Sequence, residues 1–172
     1  LPNDFKMKSL YGVGQDWPVT YEDLEIYYTE VEELMMIAGP ELTPFPRSKP
    51  YPLPPQILSS FDKAVQKKYQ ELYISQPTAR ATAATGKRGV CCTSAVCGLC
   101  PVDSKFTIEN GLRYLYGDNS VTIKYNAQVF ALLTTNDSVR GVTYLADEKE
   151  HEAEAEVVAL GANAVFNAHI LL

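Results

Sequence analysis

Two stretches of the chain repeat apolar residues at helical spacing, and a later region alternates them as strands do. After Asp16-Trp17-Pro18-Val19, Thr20 stands where a helix N-cap belongs. Glu22, Asp23 and Glu25 follow in the first turn, where the helix dipole favours acids. Leu24, Tyr28, Val31 and Met35 share one face, with Tyr27 and Leu34 beside them and Glu30, Glu32 and Glu33 opposite, so the Tyr-rich face reads as core. Gly39-Pro40 is the expected stop. Seven of the eleven prolines lie between Pro40 and Pro55, which excludes a regular helix or central strand and predicts an extended connection packed on a surface. A second helix places Leu58, Phe61, Val65 and Tyr69 on one side and turns Lys63, Gln66, Lys67 and Lys68 outward; Leu72 to Ile74 reads as a short strand.

Further on, Ser104 or Thr107 opens a helix carrying Phe106, Leu112 and Leu115, weakened by Gly111 and ended by Gly117-Asp118-Asn119. The period then changes to alternation: Val121, Ile123 and Tyr125; Val129, Ala131 and Leu133; Val142, Tyr144 and Ala146. Turns at Asn136-Asp137-Ser138 and Asp147-Glu148-Lys149 separate the later strands, which predicts a β-meander. Val157 to Leu160 is apolar without alternation, as in a strand buried on both faces, and runs through Gly161-Ala162 into a helix start. The apolar run from Val165 to Leu172 stops without a cap or turn chemistry, as if cut inside an element.

With 46% hydrophobic and 21% charged residues over 172 positions, the chain has the makings of a packed core and is long enough for one domain or the middle of something larger. Fifteen basic against twenty-one acidic residues give a net charge of -6, which removes the attraction that nonspecific nucleic-acid binding depends on. Neither a targeting pattern at Leu1 to Lys6 nor a run long enough to span a membrane is present.

All four cysteines fall within ten residues: Cys91, Cys92, Cys97 and Cys100, the last followed by Pro101. Clustering of this kind points to sulfur chemistry, and three readings compete: thiolates holding an iron-sulfur cluster, thiolates holding zinc, or a local disulfide or plain buried thiols. His151, among Glu148, Lys149, Glu150 and Glu152, reads as a solvated turn residue, and His169 as a helix-packing one. Lys87-Arg88 reads as a small basic rim or, more plainly, as a solvated loop. A strand ending in Gly161-Ala162 before a helix sets backbone amides where an anion or nucleotide can approach, although no G-x-G-x-x-G is present.

Asn3-Asp4-Phe5-Lys6-Met7-Lys8-Ser9, Gly14-Gln15-Asp16-Trp17-Pro18 and Tyr21 to Tyr28 resemble a stretch of the glucose-methanol-choline (GMC) oxidoreductases in which Asp-Trp-Pro introduces a Tyr-Tyr helix. Cys97-Gly98-Leu99-Cys100-Pro101, Asn126-Ala127-Gln128-Val129 and Val157 to Leu172 are similar to that family's Cys-Pro loop, meander strand and strand-Gly-Ala-helix element, in the family's order. The branch most resembled is that of the gluconate, fructose and FAD-glucose dehydrogenase large subunits. The resemblance implies a glutathione-reductase-type FAD domain with an inserted substrate domain, oxidising CH-OH groups of sugars, polyols or related alcohols by hydride transfer to flavin. Val129, Gly161 and Ala162 would then contact FAD. Cys91, Cys97 and Cys100, with Cys92 spare, would hold a 3Fe-4S cluster, although two residues separate the last two cysteines where the cluster-bearing members have three. Electrons would pass to an external acceptor, with a cytochrome c and small subunits as partners, in an exported or periplasmic enzyme. The family's dinucleotide fingerprint would lie upstream of Leu1 and its catalytic residues downstream of Leu172, so no catalytic residue is expected here and the segment alone is expected to be inactive.

The fold expected is α+β: a substrate-domain portion over residues 1–100 with the Cys-rich loop 91–100, and a partial FAD domain over 101–172 made of helix, β-meander and terminal strand-turn-helix. The alternatives are a stand-alone iron-sulfur or metal-binding electron-transfer module and a catalytically inactive interaction domain.

Overall fold

A computed structural model describes residues 1–94 and 97–172, with the side chain of Glu71 left aside. The fold is α+β, helices plus a three-stranded antiparallel sheet, and the chain divides into two compact units, Leu1–Leu115 and Tyr116–Leu172. No helix among the described residues is long and apolar enough to cross a membrane.

The first unit holds α1 (Met7–Tyr11), α2 (Tyr21–Met35), α3 (Ser60–Tyr69), α4 (Ile108–Gly111) and short 3-10 turns at Pro2–Lys6, Gln70–Leu72 and Arg113–Gly117. Three of its helices start on the same reciprocal cap. The hydroxyl of Thr20, Ser59 or Thr107 accepts the N–H of the residue three on, and that residue's side chain (Asp23, Asp62 or Asn110) accepts the cap's own N–H. Such boxes satisfy two otherwise orphaned donors. The α2 helix ends at Met36, four residues before Pro40. Met36 takes a left-handed conformation (φ 50°) and donates to Glu33 O at 3.1 Å, while Ile37 N–H reaches Glu32 O at 3.0 Å. Ending there frees Ala38 to exchange two 2.9 Å hydrogen bonds with Thr78, and Gly39 to donate to Leu53 O at 3.1 Å. Gly39 is required by packing: a side-chain carbon there would overlap the Tyr51 ring. Residues 72–74 form a 3-10 end and coil, not the expected strand.

The core of this unit is small, with Ala38, Leu53 and Ala81 buried together and Met36 packed against them. Against expectation, α2 buries its polar side. Thr29 is 4% exposed and Glu25 and Glu32 are half-buried, whereas on the expected core face only Leu24 and Met35 are half-buried and Tyr28 and Val31 are exposed. The reason lies in the proline-rich connection, which offers that helix hydrogen-bond donors. Glu25 Oε1 accepts the Ser48 N–H at 2.8 Å and the hydroxyls of Thr29 and Ser48 at 2.9 and 3.0 Å, and Arg47 pairs with Glu32 at 2.7 Å while lying 3.4 Å over the Tyr51 ring. The apolar stripe of α2, like Phe61 on α3, is left uncovered within the unit.

Arg88, expected at a solvated rim, is buried and donates to three main-chain carbonyls: Met35 O at 2.7 Å, Ala79 O at 2.7 Å and Ser104 O at 3.2 Å. Burial pulls its pKa down from the ordinary value, and Asp103 opposes this. A guanidinium is chosen here because its fork satisfies several acceptors at once and does not deprotonate at accessible pH.

The second unit is the sheet and α5. The strands are β1 (Gln128–Thr135), β2 (Ser138–Ala146) and β3 (Lys149–Glu154), joined in the order β1-β2-β3. Both connections are two-residue turns, Asn136-Asp137 (φ 49° and 64°) and Asp147-Glu148 (φ 51° and 59°), with the paired positive φ values that match the twist of a hairpin. Residues 121–125 and 157–160, expected as strands, are not in the sheet, and Val157 is exposed. The third strand is instead the charged Lys149–Glu154, whose alternation of long polar residues suits an edge strand in contact with water. His151 therefore sits in β3, not in a turn, stacked on Tyr144 with ring centroids 5.4 Å apart. Tyr144 is buried, and Lys124 Nζ donates to its hydroxyl at 2.9 Å. The α5 helix (Asn163–Leu171) lies against β1, and His169 on it is exposed rather than packed.

Replacing Arg88 with alanine strands three carbonyls, and the expected cost is about 3–5 kcal/mol. A urea midpoint lowered to match is the measurement that checks it, and an unchanged midpoint would show that water replaces the guanidinium freely. A second expectation concerns acid. The pKa of Glu25 is lowered, first by the Ser48 backbone N–H and then by the Thr29 hydroxyl. A group with a depressed folded pKa stabilises above its unfolded value, and that contribution is lost as pH falls through the folded one. The Glu25→Gln variant should therefore lose stability near neutrality and show a shallower decline on acidification below the ordinary carboxylate range, read from unfolding curves at a series of pH values.

Candidate functional site

The cysteine cavity is built on one short ribbon. Ala79 and Ala81 pair with the segment that follows the cysteines: Phe106 N–H donates to Ala79 O at 2.8 Å and Ala81 N–H to Ser104 O at 3.0 Å. The carbonyl of Ala81 then accepts both the Cys91 N–H at 2.9 Å and the Ser104 hydroxyl at 3.3 Å, which fixes the loop's entry and exit at one point. Farther out, Gly89 N–H donates to Val102 O at 2.8 Å. A side-chain carbon at Gly89 would come within 2.9 Å of that carbonyl, so the two limbs of the loop approach this closely only over glycine. From the other side Asn110 Nδ2 holds Lys105 O at 2.7 Å and Asp103 O at 3.3 Å.

Above this base all four cysteines line one cavity of about 150 Å³, together with Arg80, Ser104 and Lys105. None is in a disulfide; Cys91 and Cys100 are half-buried, Cys92 and Cys97 exposed. Each of the three expected ligands has its own donor. Arg80 Nη1 lies 4.0 Å from Cys91 Sγ, the Ser104 N–H donates to Cys100 Sγ at 3.3 Å, and Lys105 Nζ donates to the Cys97 carbonyl at 3.3 Å. Cys92 differs: hydrogen bonds from the Ser94 side chain and then its backbone lower the pKa of its thiol. Among the described residues no three His, Cys, Asp or Glu side chains are gathered as the ligands of one metal ion. Ala95 and Val96 of the loop lie outside the described residues.

Val129, Gly161 and Ala162 belong to the second unit. Val129 is half-buried on β1, paired in register with Tyr144. At Gly161 nothing lies within 4 Å of where a side-chain carbon would stand, so its backbone faces open space. The amides at the start of α5 are already engaged: Asn163 Oδ1 accepts from Val165 and Phe166 at 3.0 and 3.2 Å, and Asn167 Oδ1 from Ala162 at 2.8 Å. An approaching nucleotide would meet bare backbone at Gly161 before it met free helix amides. Sequence reasoning missed Arg80, Ser104 and Lys105. The clue for two of them was available, because Ser104 and Lys105 follow Cys100 by four and five positions, within reach of the loop they close.

An α+β segment with a thiol-ringed, cation-lined cavity is the class of structure these features define. No protein-family model matches the chain. Over its whole length, in an alignment of 186 positions, it is 32% identical to the fructose dehydrogenase large subunit of Gluconobacter japonicus, and it spans about a third (33%) of that protein.

Cys92, exposed and with its thiolate favoured, should be the first cysteine alkylated by iodoacetamide under native conditions, as peptide mapping would show. Ser94→Ala should move its rate-against-pH profile to higher pH; an unmoved profile would mean that Ser94 does not hold the thiolate.

Proposed function

We propose that this chain is a segment of an FAD-dependent oxidoreductase of the GMC type, which oxidises CH-OH groups of sugars or polyols and passes the electrons to an external one-electron acceptor such as a c-type cytochrome. The observation that carries the reading is the whole-length similarity to a dehydrogenase large subunit, of which the chain spans about a third. The four thiols around a single cavity support an electron-relaying role for this piece.

Bound FAD would supply the acceptor for the hydride leaving the carbinol carbon, and an iron-sulfur cluster in the cysteine cavity a one-electron relay beyond it. The donor set fits such a cluster: sulfur ligands only, spaced around a volume far larger than the roughly 30 Å³ a water takes up in the liquid, with N–H donors and cations beside them. Zinc is the other metal such thiols take, and it would need them to converge on one tetrahedral ion at about 2.3 Å each. In this assignment Cys91, Cys97 and Cys100 hold the cluster, Cys92 stays free, and Gly161 with the Val129 strand offers backbone to the nucleotide. The uncovered apolar faces of α2 and α3 suit a segment that packs against further polypeptide of a larger subunit.

The test uses the full-length protein purified anaerobically. It should show oxidised-flavin absorbance, bleach it on addition of a sugar or polyol, reduce an artificial one-electron dye, and contain iron. Intact protein without flavin, or inert towards a panel of sugars and polyols that includes fructose, would overturn the reading.

A further inference from the structure

Arg80 and Lys105 occupy directly opposite positions of an antiparallel bridge, so their side chains leave the same side of the ribbon. Both line the cysteine cavity. Like charges set directly opposite across an antiparallel pair repel, and among the described residues neither of these two cations is in an ion pair with a carboxylate. No carboxylate lines the cavity among the described residues. Arg80, with its guanidinium 4.0 Å from Cys91 Sγ, and Lys105, with its ammonium on the Cys97 carbonyl, thus bring two positive charges to a cavity lined by four thiols, half of an electrostatic arrangement whose other half is negative charge inside the cavity.

We infer that Arg80 and Lys105 are the counter-charges of an anionic, thiolate-ligated redox group in this cavity, and that they set its reduction potential. The inference rests on the proposed function, because it takes the group to be an iron-sulfur cluster. A cluster held by Cys91, Cys97 and Cys100 would supply a one-electron relay that gains one negative charge on reduction and returns to its starting charge on passing the electron to the acceptor, with no bond made or broken at the cysteines. Positive charge within a few ångströms favours the reduced, more negative form, and it acts more strongly where water is partly excluded. Arg80, half-buried and 4.0 Å from Cys91 Sγ, should weigh more than Lys105, which is exposed and screened. Both are positioning residues, acting on the cluster through its surroundings without ligating it.

The experiment compares anaerobically purified full-length wild type with Arg80→Gln, Lys105→Gln, the double variant, Arg80→Lys and the distant control Lys68→Gln. Iron per chain and the midpoint potential, followed by electron paramagnetic resonance during redox titration, are measured for each. The expected result is iron retained in the single variants and a lowered potential in Arg80→Gln, with a smaller fall in Lys105→Gln, the largest in the double variant, and wild-type behaviour in Arg80→Lys and Lys68→Gln. If Arg80→Gln sheds its cluster while Arg80→Lys keeps it, the requirement for charge stands, and Lys105→Gln supplies the potential shift. Iron-loaded Arg80→Gln and Lys105→Gln with the wild-type potential would overturn the inference and leave the proposed function intact. Wild type without iron would overturn the cluster and the inference with it.

Discussion

The first unit depends on one buried guanidinium. Arg88 joins the last turn of α2 through Met35 O, the ribbon under the cysteines through Ala79 O, and the segment that closes the cysteine loop through Ser104 O. These pieces share no extended sheet; they are linked by isolated bridges around a core of a few small residues. In so thin a core, hydrophobic burial alone contributes little, and the geometry is set by a side chain that satisfies three main-chain acceptors at once. The cavity inherits its shape from this, since Ala79 and Ser104 belong to the two strands of its base.

A second constraint is the inverted use of α2. The helix docks through Glu25, Thr29 and Glu32 onto the proline-rich connection, and Ile26, Tyr27, Val31 and Leu34 are left uncovered within the unit. Proline removes N–H donors from a segment, but Ser48 retains its own and Arg47 adds a charged fork, and these two supply what the acidic side of α2 needs. Amphipathic spacing identifies which face of a helix is apolar. It does not say which face is covered within a given stretch of chain.

The cysteine loop and the Gly161 turn lie in separate compact units and are built differently. The loop gathers side chains around a space, with cations supplied from outside the motif. The turn at Gly161 offers an absence of side chain, flanked by asparagines that have already taken the helix amides.

Much of this was readable along the chain. Thr20 and Thr107 as caps, the two tight turns of the meander, the absence of regular structure through Pro40 to Pro55, the α+β class and the clustering of Cys91, Cys92, Cys97 and Cys100 all follow from interactions among residues a few positions apart. What only tertiary structure decided involves partners distant in sequence. Met36 ends α2 because Ala38 must meet Thr78. Arg88 is buried because acceptors up to 53 residues away converge on it. Lys149–Glu154, joined to β2 by the local Asp147-Glu148 turn, is the third strand, and the more apolar 157–160 stays outside the sheet although its apolar run reads as the better strand. Local hydrogen-bond chemistry is written in short sequence intervals, whereas the choice of which surface covers which depends on long-range competition that no single interval encodes.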